Sequence, residues 1–272
     1  MLTADDWPLT TDLMPLDKTN AIPYFVFSSL REAGVPHAIF TRRGGVSPEP
    51  WNSLNMGGGL GDERSRVLEN IRLGLQAFGR TPQQVYDVWQ VHGREVICAR
   101  SPRNGADYAQ ADAILTDTPG LTLMMRFADC VPVMLYDPRQ RVGGLVHAGW
   151  QGTVAGVVQA AVERMTAVYG SRPADILAGI GPSIGPDHYQ VGENVIERVR
   201  QTFGTQCDDV LQTVNGGTHF DLWQANRLLL EAVGVRHIEI AGLCTACDLT
   251  HWYSHRQERG LTGRFGAFLA VE

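Results

Sequence analysis

The chain has 272 residues, of which 44% are hydrophobic and 19% are charged, which is typical of a globular protein and excludes a largely disordered one. The formal net charge is −6, from 23 Lys+Arg and 29 Asp+Glu, and there is no long basic run, so we expect no nucleic-acid partner. No stretch reaches the ~18 apolar residues of a membrane span, residues 1–20 do not resemble a secretory signal, and the odd number of cysteines, 5, disfavours a disulfide framework. We therefore expect a cytoplasmic protein that does not act at a membrane.

The first half of the chain is predicted to form one helix followed by several strands. The helix is predicted over Glu63–Phe78, with Asp62 as its N-cap, apolar residues at helical spacing, and Gly79 at its end. Apolar runs then predict strands at Tyr86–Val91, Glu95–Ala99, Leu121–Phe127, Val131–Tyr136 and Val142–Val146.

The second half begins with an apolar stripe that predicts one long helix from about Gln151 to Tyr169. Further helices are predicted at Glu193–Phe203 and Leu222–Val233, and further strands at Ile176–Ile180, Ile238–Ala241 and Arg264–Val271. Strands concentrate in the middle of the chain and helices are interspersed without strict alternation. The sequence therefore predicts an α+β fold with mixed β-sheets and flanking helices.

Metal-capable side chains occur at three points where a predicted strand ends. They are His92 in Trp89-Gln90-Val91-His92-Gly93, Cys130 in Ala128-Asp129-Cys130-Val131-Pro132, and His147 in Val146-His147-Ala148-Gly149-Trp150. Two imidazoles and one thiolate form a three-ligand set that leaves a fourth tetrahedral position open, as in catalytic zinc sites. Taken singly, a cysteine between strands is more often a small buried hydrophobe, and a lone histidine is more often a hydrogen-bonded polar residue. The spacing of the three residues leaves both interpretations open.

A series of motifs resembles the laccase-domain family, which has been called multicopper polyphenol oxidase and is now understood as purine nucleoside phosphorylases. The resemblance opens at Thr41-Arg42-Arg43-Gly44-Gly45-Val46-Ser47 and Ser53-Leu54-Asn55. It continues in order through Gln90–Gly93, Ala111–Ala113, Ala128–Pro132, His147–Trp150, Gly179–Gly185, Ser254–Arg256 and Thr262–Arg264. Because the match begins at about residue 38 and nothing divides the chain, we expect a single domain over residues 1–272, with about 1–37 as its N-terminal extension.

This resemblance implies that His92, Cys130 and His147 are the ligands of Zn²⁺. The implied activities are phosphorolysis of adenosine, inosine, guanosine and methylthioadenosine, together with deamination of adenosine. The partners are then purine nucleosides and phosphate, and the family has also been linked to peptidoglycan editing in bacteria. The implied fold is similar to the catalytic domain of the deamidating cytotoxic necrotizing toxins.

The two expected reactions need different groups. A zinc-bound water on the three ligands has its pKa drawn toward neutrality, so that it can attack C6 of adenosine. Phosphorolysis needs an anion site, which the helix opening near Gln151 can offer through its free N–H groups. Arg42 is a candidate for contacting phosphate or ribose, with a surface role beside the Gly-Gly turn as the alternative. Candidates for orienting substrate or a metal ligand, with local hydrogen bonding as the alternative, are Asn55, Gln90 and Asp129.

A second ligand-rich segment lies near the C-terminus. Cys244, Cys247, His251 and His255 follow the pattern C-x2-C-x3-H-x3-H, whose first pair has zinc spacing. Ordinary packing, a redox-sensitive pair and a second metal site are the three interpretations of this segment.

Three other functions remain to be weighed. A metal-free hydrolase or deamidase would use Cys130 as nucleophile and His147 as base. A single-copper polyphenol oxidase would use copper on the same two imidazoles and thiolate, with Met124, Met125 or Met134 as an axial ligand. The 8 histidines are too few for both copper centres of a complete laccase. A metal-stapled binding module is disfavoured because structural zinc usually has four protein ligands.

Overall fold

The structure of the protein is a computed structural model that describes residues 14–15, 22–105 and 107–272. Most strands belong to two six-stranded sheets. Sheet 1 has the spatial order β1 (Met14–Pro15), β2 (Pro23–Phe25), β3 (His37–Phe40), β14 (Phe265–Ala270), β7 (Thr122–Phe127) and β4 (Val85–Asp87). Its neighbours are antiparallel except for β4 and β7, which run parallel.

Sheet 2 is antiparallel at its centre and parallel at both edges. Its order is β13 (His237–Ile240), β10 (Leu177–Ile180), β8 (Val131–Asp137), β9 (Val142–Ala148), β6 (Ala113–Thr116) and β5 (Val96–Cys98). A separate hairpin joins β11 (Leu211–Val214) to β12 (Gly217–Phe220). The helices are α1 (Ser28–Glu32), α2 (Arg64–Ala77), α3 (Trp150–Val154), α4 (Val157–Tyr169), α5 (Glu193–Phe203) and α6 (Leu222–Ala232).

The two sheets face each other across a shared apolar layer that includes Leu123 and Phe265 from sheet 1 and Ile114 and Met134 from sheet 2. Helices α4, α5 and α6 cover the other face of sheet 2, and α2 covers the other face of sheet 1. All seven residues of β8 are buried because both faces of its sheet are covered. The fold therefore has mixed sheets with flanking helices, as predicted, while the expected likeness to the toxin domain stays a prediction.

One predicted helix is two helices in the structure. The expected helix from Gln151 to Tyr169 is interrupted after α3, where Gly156 adopts the left-handed conformation with φ of 78°. A left-handed residue cannot continue a right-handed helix, and glycine adopts this conformation without steric cost. At the start of the first predicted helix, Glu63 rather than Asp62 occupies the N-cap position of α2. Asp62 instead accepts hydrogen bonds from Ser47 and Asn55.

The remaining differences concern short elements. The strand predicted to end at Val91 ends at Asp87, which leaves His92 in a connecting segment. Of the expected N-terminal extension, residues 1–13 and 16–21 lie outside the described residues, whereas Phe25, Phe27 and Leu30 are buried in the core. None of the described helices is long and apolar enough to cross a membrane.

Candidate metal centre and adjoining pocket

The side chains of His92, Cys130 and His147 meet at one end of sheet 2. Their ligand atoms all lie within 4.8 Å of one another. Val131 pairs with Ala148 across β8 and β9, so Cys130 emerges at the end of β8 directly beside the end of β9 that carries His147. His92 reaches the same point from the segment between β4 and β5.

Two of the three segments that carry the ligands contain a residue with positive φ. His92 has φ of 61°, and Asp129, which precedes Cys130, has φ of 80°. Asp129 is fixed by two hydrogen bonds, accepted from the hydroxyl of Thr245 at 2.7 Å and from the backbone N–H of Arg256 at 2.6 Å. Such conformations persist where surrounding contacts determine them, and they concentrate at functional sites.

Asp112 connects the two histidines. Its buried carboxylate accepts hydrogen bonds from the backbone N–H groups of Val91, His92 and Gly93, at 3.2, 3.0 and 2.6 Å. It also accepts one at 2.8 Å from Nδ1 of His147. With its proton on Nδ1, a neutral His147 presents the lone pair of Nε2, as a metal ligand must. The sequence contained this residue in the motif Ala111-Asp112-Ala113, but nothing local indicated a contact with His147.

The charges of the cluster favour a thiolate. Burial raises the pKa of the Cys130 thiol, but the imidazoles of His147 and His92 outweigh burial, so the pKa lies below its ordinary value. For the His147 imidazole, burial alone would lower the pKa, but contacts with Cys130 and Asp112 raise it above its ordinary value. A thiolate beside imidazole is both a metal ligand and a nucleophile, so the electrostatics alone do not separate these functions.

The donor set fits a metal ion. Two imidazoles and one thiolate suit zinc or copper, and Asp112 supplies the outer hydrogen bond that usually orients a ligating histidine. The copper alternative also needs a weak axial ligand. Met124, Met125 and Met134 pack in the apolar layers, and among the described methionines only Met56 lines the adjoining pocket.

A cavity of about 970 Å³ opens on the three ligands, which is large enough for a nucleoside and an anion. Four arginines line it, namely Arg64, Arg126, Arg256 and Arg264. Arg126 is paired with Asp87 at 2.7 Å. The other three form no ion pair with any carboxylate in the described parts of the chain. The pocket therefore presents cationic groups that an anion can pair with.

The family model described as multi-copper polyphenol oxidoreductase laccase matches residues 36–272. The chain belongs to this family. A relative from Deinococcus radiodurans named purine nucleoside phosphorylase is 39% identical over 238 residues, covering 87% of this chain and 89% of the relative. Purine nucleoside phosphorylase YlmD from Geobacillus stearothermophilus is 36% identical over 247 residues, covering 87% and 90%. The crystal structure of YlmD from Geobacillus stearothermophilus superposes with a TM-score of 0.88 at 33% identity, covering 95% of this chain and 100% of that one.

The four substrate-binding candidates named from the sequence differ in whether they line the pocket. Gln90 and Asp129 line the pocket, and the Gln90 amide exchanges two hydrogen bonds with the backbone of Arg126, at 2.8 and 2.9 Å. Arg42 and Asn55 are not among the residues lining it. Arg42 is buried and pairs with Glu258 at 3.0 Å. The Asn55 side chain bonds within its own loop and to the backbone N–H of Arg264.

The expected anion cradle at the helix opening is also modest, because α3 has only five residues and a correspondingly small dipole. The pocket arginines, which sequence reasoning missed, are the stronger anion-binding groups. Arg256 and Arg264 lie in two of the motifs quoted above, but which arginines face a pocket depends on long-range contacts.

The C-terminal ligand-rich segment is arranged differently from its sequence pattern. Cys244 and Cys247 meet Asp187 and His188, which come from another part of the chain. His251 instead bonds to the carboxylate of Asp248 at 2.7 Å. His255 lines the pocket. The pattern C-x2-C-x3-H-x3-H therefore does not describe one cluster.

Proposed function

We propose that the protein is a zinc-dependent purine nucleoside phosphorylase that acts on adenosine, inosine, guanosine and methylthioadenosine and also deaminates adenosine. The observation that carries this proposal is a pocket that joins the His92, Cys130 and His147 cluster to arginines that have no carboxylate partner among the described residues. The names of the relatives support the reaction class.

The cationic side of the pocket is the proposed phosphate site. Arg264 donates to the backbone carbonyl of Gly263 at 2.8 Å, and Arg256 donates to that of Gln190 at 2.7 Å, so each side chain is held in place without neutralising its charge. Burial lowers the pKa of Arg264, although Cys130, Asp129 and Glu258 act in the opposite direction. A dianionic phosphate would relieve the cost of leaving this cation without a close counterion.

Aromatic side chains supply the proposed purine site. Trp89 and Tyr108 line the pocket although these residues are 62% and 44% exposed. Large exposed aromatic rings at the mouth of a cavity provide flat apolar surfaces that a purine base can stack against. Trp150 and Tyr189 line the pocket as well.

The metal and the protein have separate roles in this proposal. A zinc ion held by His92, Cys130 and His147 supplies Lewis acidity next to the substrate. Asp112 orients His147, and the turn of Val91–Gly93 around the same carboxylate positions His92. The arginines bind and orient phosphate toward the ribose, which lowers the entropic cost of bringing the two reactants together. The five free cysteines support a reducing, cytoplasmic setting.

A metal-free thiol hydrolase or deamidase is the second candidate, and one observation favours it. Cys130, His147 and Asp112 lie in the order nucleophile, base and orienting carboxylate, with the carboxylate on Nδ1 of the imidazole. This arrangement needs the thiol to be free, whereas a zinc ligand is protected by its metal. Metal bound at the cluster that contains Cys130 therefore separates the two candidates.

The test compares wild type with Cys130→Ala, and uses Cys207→Ala as a matched control because Cys207 lies outside both the pocket and the cluster. Bound zinc and copper are quantified, and products are followed after adding adenosine with and without phosphate. The proposal expects zinc at the cluster, phosphate-dependent formation of adenine, and formation of inosine, all of which Cys130→Ala loses and Cys207→Ala keeps. A wild type that is inert toward nucleosides, is alkylated at Cys130 and holds no more metal than Cys130→Ala supports the hydrolase instead.

A further inference from the structure

A second cluster of metal-capable side chains lies outside the pocket just described. It consists of Asp187 and His188 from the segment after β10 and Cys244 and Cys247 from the segment after β13, and their ligand atoms lie within 4.8 Å of one another. The parallel bridge between Ser183 and Cys244 brings the two segments together. We call these four residues the Cys-His-Asp cluster.

Four of the six ligand-to-ligand distances within the Cys-His-Asp cluster are close to those of a four-coordinate metal site. In a tetrahedral zinc site with Zn–S of about 2.3 Å and Zn–N or Zn–O of about 2.0–2.1 Å, a sulfur lies about 3.6 Å from a nitrogen or oxygen ligand, and a nitrogen lies about 3.3 Å from an oxygen. Nδ1 of His188 lies 3.5 Å from Sγ of Cys247 and 3.7 Å from Sγ of Cys244. Oδ2 of Asp187 lies 3.7 Å from Sγ of Cys247 and 3.0 Å from Nδ1 of His188.

The surroundings favour thiolate ligation. The backbone N–H of Gly185 donates to Sγ of Cys244 at 3.2 Å, a bond that stabilises negative charge on the sulfur. A Cβ at Gly185 would lie 3.1 Å from Cβ of Cys244, so glycine permits this close approach. Two thiolates and one carboxylate more than balance the charge of a divalent cation, and with the imidazole they provide the four protein ligands of a structural zinc site.

We propose that Asp187, His188, Cys244 and Cys247 bind a second divalent metal ion, zinc by the class of its donors, as a structural site. The site does not depend on the proposed function of the pocket. It does border that pocket, because Ile184 and Tyr189 on either side of the Asp187-His188 pair line the cavity. A metal on the Cys-His-Asp cluster would thus tie one wall of the cavity to the segment that ends in His255 and Arg256.

The principal alternative for two cysteines at this spacing is a disulfide or a redox-active dithiol. Both cysteines are free thiols in the structure, and each sulfur lies within 3.7 Å of Nδ1 of His188, as expected for ligands that share one metal ion.

The test removes one cluster at a time. His92→Ala/Cys130→Ala leaves only the Cys-His-Asp cluster intact, and Cys244→Ser/Cys247→Ser leaves only the pocket cluster. Cys207→Ser is the control for loss of an unrelated thiol. Each protein is expressed with zinc and reductant and dialysed against metal-free buffer, after which bound zinc, free thiols and intact mass are measured. Cobalt titration of His92→Ala/Cys130→Ala reports thiolate ligation directly through thiolate-to-cobalt charge-transfer absorption.

The expected result is one zinc per chain in His92→Ala/Cys130→Ala and one zinc fewer in Cys244→Ser/Cys247→Ser than in Cys207→Ser. Cobalt absorption in the first variant should disappear when His188→Gln or Cys247→Ser is added, both at solvent-accessible positions whose folding is checked by circular dichroism. The proposal is overturned if His92→Ala/Cys130→Ala folds without zinc or cobalt absorption. It is also overturned if the native pair is a disulfide, seen as the loss of two hydrogens in the intact mass.

Discussion

The substitution Asp112→Asn tests whether this carboxylate orients the pocket cluster. One carboxylate oxygen accepts from His147 Nδ1 and the His92 N–H, and the other accepts from the Val91 and Gly93 N–H groups. Whichever way an amide is placed, its NH₂ faces two donors, so two hydrogen bonds are lost. At about 1–3 kcal/mol for each unsatisfied buried group, the free energy of unfolding should fall by roughly 2–6 kcal/mol before relaxation.

The same change should weaken zinc binding, because His147 loses the charge that fixes its Nδ1 tautomer. Loss of such an outer hydrogen bond typically costs about 10–100-fold in metal affinity. Zinc affinity is measured by competition with a chromophoric chelator in the Cys244→Ser/Cys247→Ser background, so that the pocket cluster alone contributes. The free energy of unfolding is measured separately in excess chelator.

Asp137→Asn is the matched control. Asp137 is also buried and accepts two backbone N–H bonds, from Arg139 and Gln140, but it lies at the opposite end of β8 from Cys130. Both bonds go to Oδ1, which an amide oxygen can replace, so we expect Asp137→Asn to keep its zinc affinity with little loss of stability. If Asp112→Asn binds zinc as tightly as Asp137→Asn does, Asp112 is a structural residue of the turn and the reasoning above is refuted.

Three further predictions follow from charge and burial. In metal-free protein, iodoacetamide should alkylate Cys130 with a rate that rises through a pKa below the ordinary thiol value of ~8.5, and zinc should suppress the reaction. Arg264→Gln should raise the KM for phosphate about 10–100-fold, the worth of one charge-assisted hydrogen bond, with a smaller change in the KM for nucleoside. His37 should titrate below ~6.5 because burial disfavours its charged form, although Val35 and Glu239 act in the opposite direction.

The sign of the His37 effect follows from proton uptake. The unfolded chain binds this proton more readily than the folded one, so stability should fall as pH drops through about 6.5. Nε2 of His37 accepts from the Phe27 N–H at 2.8 Å and Nδ1 faces the Val35 carbonyl, which leaves no place for a second proton. A His37 resonance titrating at the ordinary value would contradict this prediction. An unchanged KM for phosphate in Arg264→Gln would contradict the prediction for that arginine. Alkylation of Cys130 with the pH profile of an ordinary thiol would contradict the prediction for that cysteine.

Helices whose sequence signal lies within one short segment could be predicted from the sequence. The helix Glu193–Phe203 was predicted to the residue, because its apolar spacing and flanking glycines lie within one short segment. The hairpin of β11 and β12 had an equally local signal that was missed: Asn215 and Gly216 both have positive φ, as an Asn-Gly hairpin turn requires. The break of the long predicted helix at Gly156 also had a local signal, the glycine itself, and was also missed.

Contacts between residues far apart in the chain could not be predicted from local sequence patterns. Ligand type and family resemblance suggested His92, Cys130 and His147, and the structure brings the three together. The same reasoning suggested Arg42 as a phosphate or ribose ligand. In the structure its guanidinium instead pairs with Glu258 and donates hydrogen bonds to backbone carbonyls. The spacing also grouped Cys244 with His255, although the partner of Cys244 in space is His188, from a segment that no periodicity connects to it.

Gly149 illustrates how little separates a metal site from an ordinary core. Its φ of −70° and ψ of 173° suit any residue, so backbone freedom does not explain the glycine. A Cβ there would lie 2.8 Å from Sγ of Cys130 and 3.1 Å from Cδ2 of His92. A single methyl group would therefore fill the room between thiol and imidazole while leaving every ligand in the chain. The ability of this cluster to hold an ion thus depends on free volume as well as on its donor atoms, and the missing side chain at position 149 provides that volume.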